Sequence, residues 1–292
     1  MRGVALIELR RAGAFANLVL AFGALMAVGL LREPFAAYHV VALALAVGCA
    51  APVPRRRGPT RSQHWKDRLM GEWIKLKASD GFELSAWRAE PKGAPRGGVV
   101  VVQEIFGVNA HIRSVADGFA ADGYLAIAPA IFDRAERGFD VGYEPETMAR
   151  GVALAGKLSR ELIQLDVAAA IAAAGSAGNV GVVGYCLGGT VAWVAAALTQ
   201  GLSAAVGYYG GGIIGLKELK PRVPTMLHFG EKDQHIPLAG VREIAAAHPD
   251  TPVFTYPTGG HAFNRYGNAA YDAPSATLAR QRTMAFFASK LG

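Results

Sequence analysis

Residues 180–189 read VGVVGYCLGG: an apolar run, a sharp turn, and a glycine pair that opens a helical stretch. This is a glycine–x–nucleophile–x–glycine pattern with Cys186 at its centre. Glycine on both flanks lets a strand and the following helix approach closely, and the central side chain then projects above the carboxyl edge of a sheet. The feature is restrictive because it requires a strand buried on both faces, which occurs in parallel sheets covered by helices.

The rest of the chain supplies such a sheet. Residues 97–103 (GGVVVVQ), 124–129, 204–208, 225–229 and 253–256 are short apolar runs of the same kind. Residues 111–123, 150–174, 188–198, 241–247 and 275–291 have helical spacing. Residues 73–78 and 84–88 alternate apolar and polar side chains around Ser79-Asp80-Gly81, a hairpin signal. Strands alternating with helices predict an α/β fold with a mostly parallel central sheet and helices on both faces. Apolar residues make up 52% and charged residues 18%, which excludes a disordered chain. Two cysteines exclude a disulfide scaffold and a cysteine-based zinc module.

The predicted sheet begins near residue 70, and residues 1–69 read differently. They hold ten Lys/Arg and three acidic residues, so they carry the whole net charge of +7. Residues 70–292 hold 20 basic and 20 acidic residues, and nucleic-acid binding has no support there. Residues 12–31 and 35–53 are free of formal charge, each about the length of a bilayer span of roughly 20 residues. Arg10-Arg11 and Arg55-Arg56-Arg57 flank them, so a helical hairpin would leave both ends, and the bulk of the protein, in the cytoplasm. An export signal with Arg10-Arg11 as its basic region is a second reading. The third is that the segment, almost all Ala, Arg, Gly, Val, Leu and Pro, is translated GC-rich upstream sequence and Met70 opens the native protein. A membrane partner is therefore expected only if residues 12–53 are genuine. The expected division is an apolar, basic extension over 1–69 and a catalytic domain over 70–292.

A nucleophile at Cys186 needs a base and an orienting acid, in the chain order nucleophile, acid, histidine. Asp233 follows the run 225–229, and His261 lies in a glycine-rich loop after the last strand. Glu231 is the rival carboxylate, and His235 reads as a solvated neighbour of Asp233. His261 is the expected general base toward Cys186, with Asp233 fixing its tautomer. The backbone N–H of Leu187, at the helix start, points where an oxyanion would form. A helix N-terminus also favours a thiolate. For Cys186 the competing reading is a small residue packed at a strand end. For Asp233 and His261 it is a turn residue without chemistry.

Taken together, Gln103-Glu104-Ile105-Phe106-Gly107-Val108-Asn109, the Gly184–Gly189 turn, Ala205-Val-Gly-Tyr-Tyr-Gly210, Asp233 and His261 resemble the dienelactone hydrolase (carboxymethylenebutenolidase) family. The resemblance runs from about Met70 to the C-terminus and leaves residues 1–69 uncovered. It implies an α/β-hydrolase fold and hydrolysis of a cyclic enol ester through an acyl-thioester enzyme, with no cofactor and no metal. It also implies that Glu104 contacts the thiol and helps form the thiolate when substrate arrives. Ile105 would give the second oxyanion N–H beside Leu187. Arg265 would bind a substrate carboxylate with its bidentate fork, and Arg150 is the candidate for a second such arginine.

Residues 139–146, including Tyr143, are expected over the site, with no room for a large lid. The expected substrate is a small, unhindered ester or lactone carrying a carboxylate, turned over by a monomer. A broad carboxylesterase is the alternative within enzymes, and a membrane-tethered binding protein that kept the fold is the alternative outside them.

Overall fold

A computed structural model describes residues 71–292. The spans expected within residues 12–53 lie outside them. No helix among the described residues is long and apolar enough to cross a membrane.

An eight-stranded sheet organises these residues. Its strands are β1 (Gly71–Lys77), β2 (Glu83–Ala89), β3 (Gly98–Val102), β4 (Leu125–Pro129), β5 (Val180–Tyr185), β6 (Ala204–Tyr208), β7 (Thr225–Gly230) and β8 (Val253–Tyr256). The spatial order is β1-β2-β4-β3-β5-β6-β7-β8. β1 and β2 form the antiparallel hairpin expected around Ser79-Asp80-Gly81, and β2 joins β4 antiparallel. From β4 through β8 all neighbours are parallel.

β3, β4, β5, β6 and β7 are buried along their whole length, as their continuous apolar sequence requires. Alternation divides β3 between two cores. Val99 and Val101 pack with Ile112 and Phe119 of α1 (Ala110–Ala121) and Phe287 of α6 (Ala273–Leu291). Val100 and Val102 pack on the other face with Ile163 and Val167 of α3 (Arg160–Ala174) and Ala192 and Ala195 of α4 (Leu187–Leu198).

One element departs from expectation. The helical stretch 150–174 is two helices, α2 (Pro145–Ala155) and α3. Pro145 sits in the first turn of α2, where its missing N–H is harmless. Gly156 caps its end, and Ser159 starts α3 by accepting a hydrogen bond from the Leu162 amide at 3.2 Å. Both punctuation residues were present in an apparently continuous alanine-rich pattern. The remaining helix, α5 (Leu238–Ala247), begins right after Pro237, three residues before the expected start.

Candidate active site

β3 leads to β4 on one side, while β5 and every later strand are laid down on the other. Such a reversal opens a crevice at the carboxyl ends of the two central strands. Here Val102, the last residue of β3, pairs with Gly184 of β5. The loop carrying Glu104 and Ile105 therefore leaves the sheet beside the turn carrying Cys186. Because β7 and β8 are parallel to β5, the loops after them, with Asp233 and His261, emerge at the same edge.

The turn at Cys186 is a strained, left-handed one, with φ 54° and ψ −113° at the cysteine itself. The Cys186 amide donates to the Tyr208 carbonyl at 3.0 Å, and its carbonyl accepts from the Gly189 amide at 3.0 Å. The glycines are obligatory: a Cβ on Gly184 would lie 1.8 Å from the Gly188 carbonyl oxygen, and one on Gly188 would lie 2.3 Å from that of Val102. Backbone strain of this kind costs on the order of 1–3 kcal/mol and persists only where its surroundings enforce it.

His261 Nε2 lies 3.1 Å from Cys186 Sγ, and His261 Nδ1 lies 2.7 Å from Asp233 Oδ2. The second oxygen of Asp233 accepts the His235 amide at 2.8 Å. Burial works against a charged ring at His261, but the contacts with Asp233 and Cys186 outweigh it and hold the imidazole pKa up to about 10. A protonated ring donates to the carboxylate from one nitrogen and faces the sulfur with the other N–H. Glu231, the rival carboxylate, is engaged instead by the Thr255 hydroxyl at 2.8 Å on the surface. His235 is exposed, as expected, with its ring edge-on to His261. His228 is a core histidine between Tyr256 and Thr283, its pKa pushed down to about 3 by burial and by Arg282.

Glu104 and Arg265 meet each other. Arg265 Nε and Nη2 donate to the two carboxylate oxygens of Glu104 at 3.0 and 2.9 Å, and both residues are buried. The guanidinium also lies against the rings of Tyr143 and Phe106, 4.3 and 5.0 Å from their centres. Tyr143 thus backs the site from the expected loop, and burial pushes its hydroxyl pKa up to about 12. Arg150 is not brought in. It is largely exposed on α2, pairs with Glu136 at 2.8 Å and rests on Phe139. The face of α2 turned to the cavity carries other residues.

Those residues are Met148 and Val152. With Ile105, Phe106, Leu187 and Ile236 they form the apolar wall of a cavity of about 580 Å³, onto which Cys186, His261 and Arg265 also open. The volume suits a small organic molecule, for which pockets run from roughly 300 to 1,000 Å³. Ile105 and Leu187, expected to supply the oxyanion N–H groups, line the same cavity as the sulfur. Thr190, one turn into α4, lines it as well; its hydroxyl accepts from the Gly212 amide at 3.1 Å. Sequence reasoning passed over Met148, Val152, Thr190 and Ile236, because apolar and hydroxyl side chains without a motif around them look like ordinary core.

A cysteine-centred elbow at the switch point of this sheet order defines an α/β-hydrolase. Residues 84–291 match the dienelactone hydrolase family, and the chain belongs to that family. The carboxymethylenebutenolidases of Pseudomonas putida and Pseudomonas knackmussii are each 34% identical over 232 residues, covering 75% of this chain and 97% of the relative. A Klebsiella pneumoniae chain solved as a candidate dienelactone hydrolase is 29% identical, with a TM-score of 0.68 over 75% of this chain and 98% of that one. The Pyrococcus furiosus esterase Pf2001 shares the fold at 14% identity, with a TM-score of 0.57 over 82% of this chain and 99% of that one. The protein is a hydrolase of the dienelactone hydrolase type.

Proposed function

We propose that the protein hydrolyses a small ester or lactone through an acyl-thioester on Cys186, with His261 and Asp233 completing a triad. The observation that carries this reading is the pair of contacts at His261, 3.1 Å to the sulfur and 2.7 Å to the carboxylate, at the wall of an open cavity.

The substrate carbonyl enters with its oxygen toward the amides of Leu187 and Ile105. The sulfur of Cys186 attacks the carbonyl carbon, and a C–S bond forms as the C–O bond breaks. The leaving oxygen takes the proton from His261 Nε2, which leaves the ring neutral. Water then attacks the thioester; His261 Nε2 accepts its proton, the C–S bond breaks and the sulfur returns to its starting state. Asp233 stabilises the imidazolium at each stage where it is charged. Glu104 sits in the same charge network through Arg265. Transfer from the thiol to Glu104 is the role that the family resemblance suggests.

A preference for dienelactone itself rests on two arginines. One of them is held outside the cavity by Glu136, which favours the broader ester or lactone hydrolase. A working thiol suits a reducing compartment, which favours the cytoplasm for residues 71–292.

Cys186→Ala tests the reading. The variant is expected to lose hydrolysis of p-nitrophenyl acetate while still binding an unreactive substrate analogue. Hydrolysis at the wild-type rate would remove the nucleophile.

A further inference from the structure

We propose that the cavity selects an ester or lactone whose acyl part is apolar and uncharged, and that Met148 and Val152 of α2 enforce this choice. The inference rests on the ester-hydrolase reading above and narrows its substrate.

The position of α2 is the first observation. Gly151 packs directly on the loop after β3: a Cβ there would lie 2.0 Å from the Ile105 carbonyl oxygen. That close approach seats the helix over the site and fixes its rotation. Met148 and Val152, four apart, share the face turned to the cavity. Arg150, two residues from each, falls on another face and is tied to Glu136. The rotation that admits the two apolar side chains is the one that turns the arginine out.

The second observation is exposure. Met148 is 44% and Val152 58% exposed, so two large apolar side chains meet solvent at the mouth of the cavity. Scattered apolar side chains on a surface need no explanation, but a contiguous set in one concavity marks a binding site. Ile105, Phe106, Leu187 and Ile236 continue the surface inward to the sulfur. An apolar acyl chain gains by covering it.

Charge is the third. The guanidinium on the cavity wall, Arg265, has Nε and Nη2 on Glu104 and aromatic rings against it. A substrate carboxylate would lose its hydration in an apolar cavity and compete with a buried partner already in bidentate geometry. The residues of α2 that line the cavity are Met148 and Val152, and neither carries a charge to compensate it.

Two esters that differ only at the acyl end test this: p-nitrophenyl butyrate, ending in methyl, and mono-p-nitrophenyl succinate, ending in carboxylate. Their kcat/KM ratio is independent of how much enzyme is folded. The butyrate is expected to be favoured at least tenfold by the wild type. Met148→Arg is expected to shift the ratio at least tenfold toward the succinate, and added salt to weaken that shift. A wild-type preference for the succinate, or an unchanged ratio in Met148→Arg, would overturn the proposal and leave ester hydrolysis standing. Failure of both esters, with no acylation of Cys186 by mass spectrometry, would instead overturn the hydrolase reading and this inference with it.

Discussion

His261 is where residue-level chemistry and stability meet. Its pKa stands at about 10 against an ordinary 6.5, despite burial, because Asp233 and Cys186 hold the charged ring. A raised pKa means that protonation binds more tightly in the folded state. The resulting stabilisation is therefore complete below about pH 6.5 and is lost as pH rises through about 10. The difference in urea stability between wild type and His261→Gln is expected to be larger at pH 6.5 than at pH 10. An equal difference at both would contradict the assignment. Asp233→Asn removes the main contact that raises this pKa. It should lower the imidazole pKa followed by NMR and reduce kcat by roughly 10,000-fold, the size known for losing the orienting carboxylate of a Ser-His-Asp triad.

At the scale of elements, the decisive unit is β5, the turn and α4. Three close approaches compress it: Gly184 against the Gly188 carbonyl, Gly188 against that of Val102, and Gly189 against that of Tyr208. Gly184→Ala has no room to relax without parting strand from helix, and overpacking of this kind costs about 1–3 kcal/mol or more. The melting temperature should fall by about 2–10 °C at the usual scaling for a chain of this size, with loss of activity. Gly175→Ala is the matched control. Gly175 caps α3 in a helical conformation, and a Cβ there meets nothing within 4 Å. It should leave stability equal or higher by a few tenths of a kcal/mol and leave activity intact.

Across the whole molecule, one buried cation ties together parts distant in sequence. Arg134, in the short 3₁₀ turn after β4, donates to Asp166 of α3 at 2.9 and 2.8 Å and to Asp80 of the β1–β2 turn at 2.7 and 3.2 Å. It joins the hairpin, the middle of the sheet and a covering helix. Asp166 is fully buried, and burial pushes its carboxyl pKa up even with the arginine beside it. Arg134→Ala would strand that carboxylate, and breaking a buried pair from one side costs about 3–5 kcal/mol. Urea denaturation should show this deficit at pH 8 and a smaller one at pH 5, where Asp166 can take up a proton. An identical deficit at both values would mean that lost packing, and not the stranded charge, is responsible.

The cysteine turn, the alternation of strands and helices along the chain and the chain order Cys186–Asp233–His261 were legible in the sequence because they follow from short-range rules. Glycine spacing decides how closely backbones approach, and a run of buried β-branched residues can only be an interior strand. Once β5, β7 and β8 are parallel, their loops must open at one edge, so Cys186 and His261, 75 positions apart, were bound to be neighbours in that layout. The partners of charged side chains were not legible. Glu104 and Arg265 are 161 positions apart, and each had a separate expected task; only the packed site turned them on one another. On α2 the sequence contains an arginine and a methionine two residues apart, and either could have faced the substrate. The glycine seated against Ile105 decided between them. A helix's rotation depends on what it touches, and contact is a property of the folded chain.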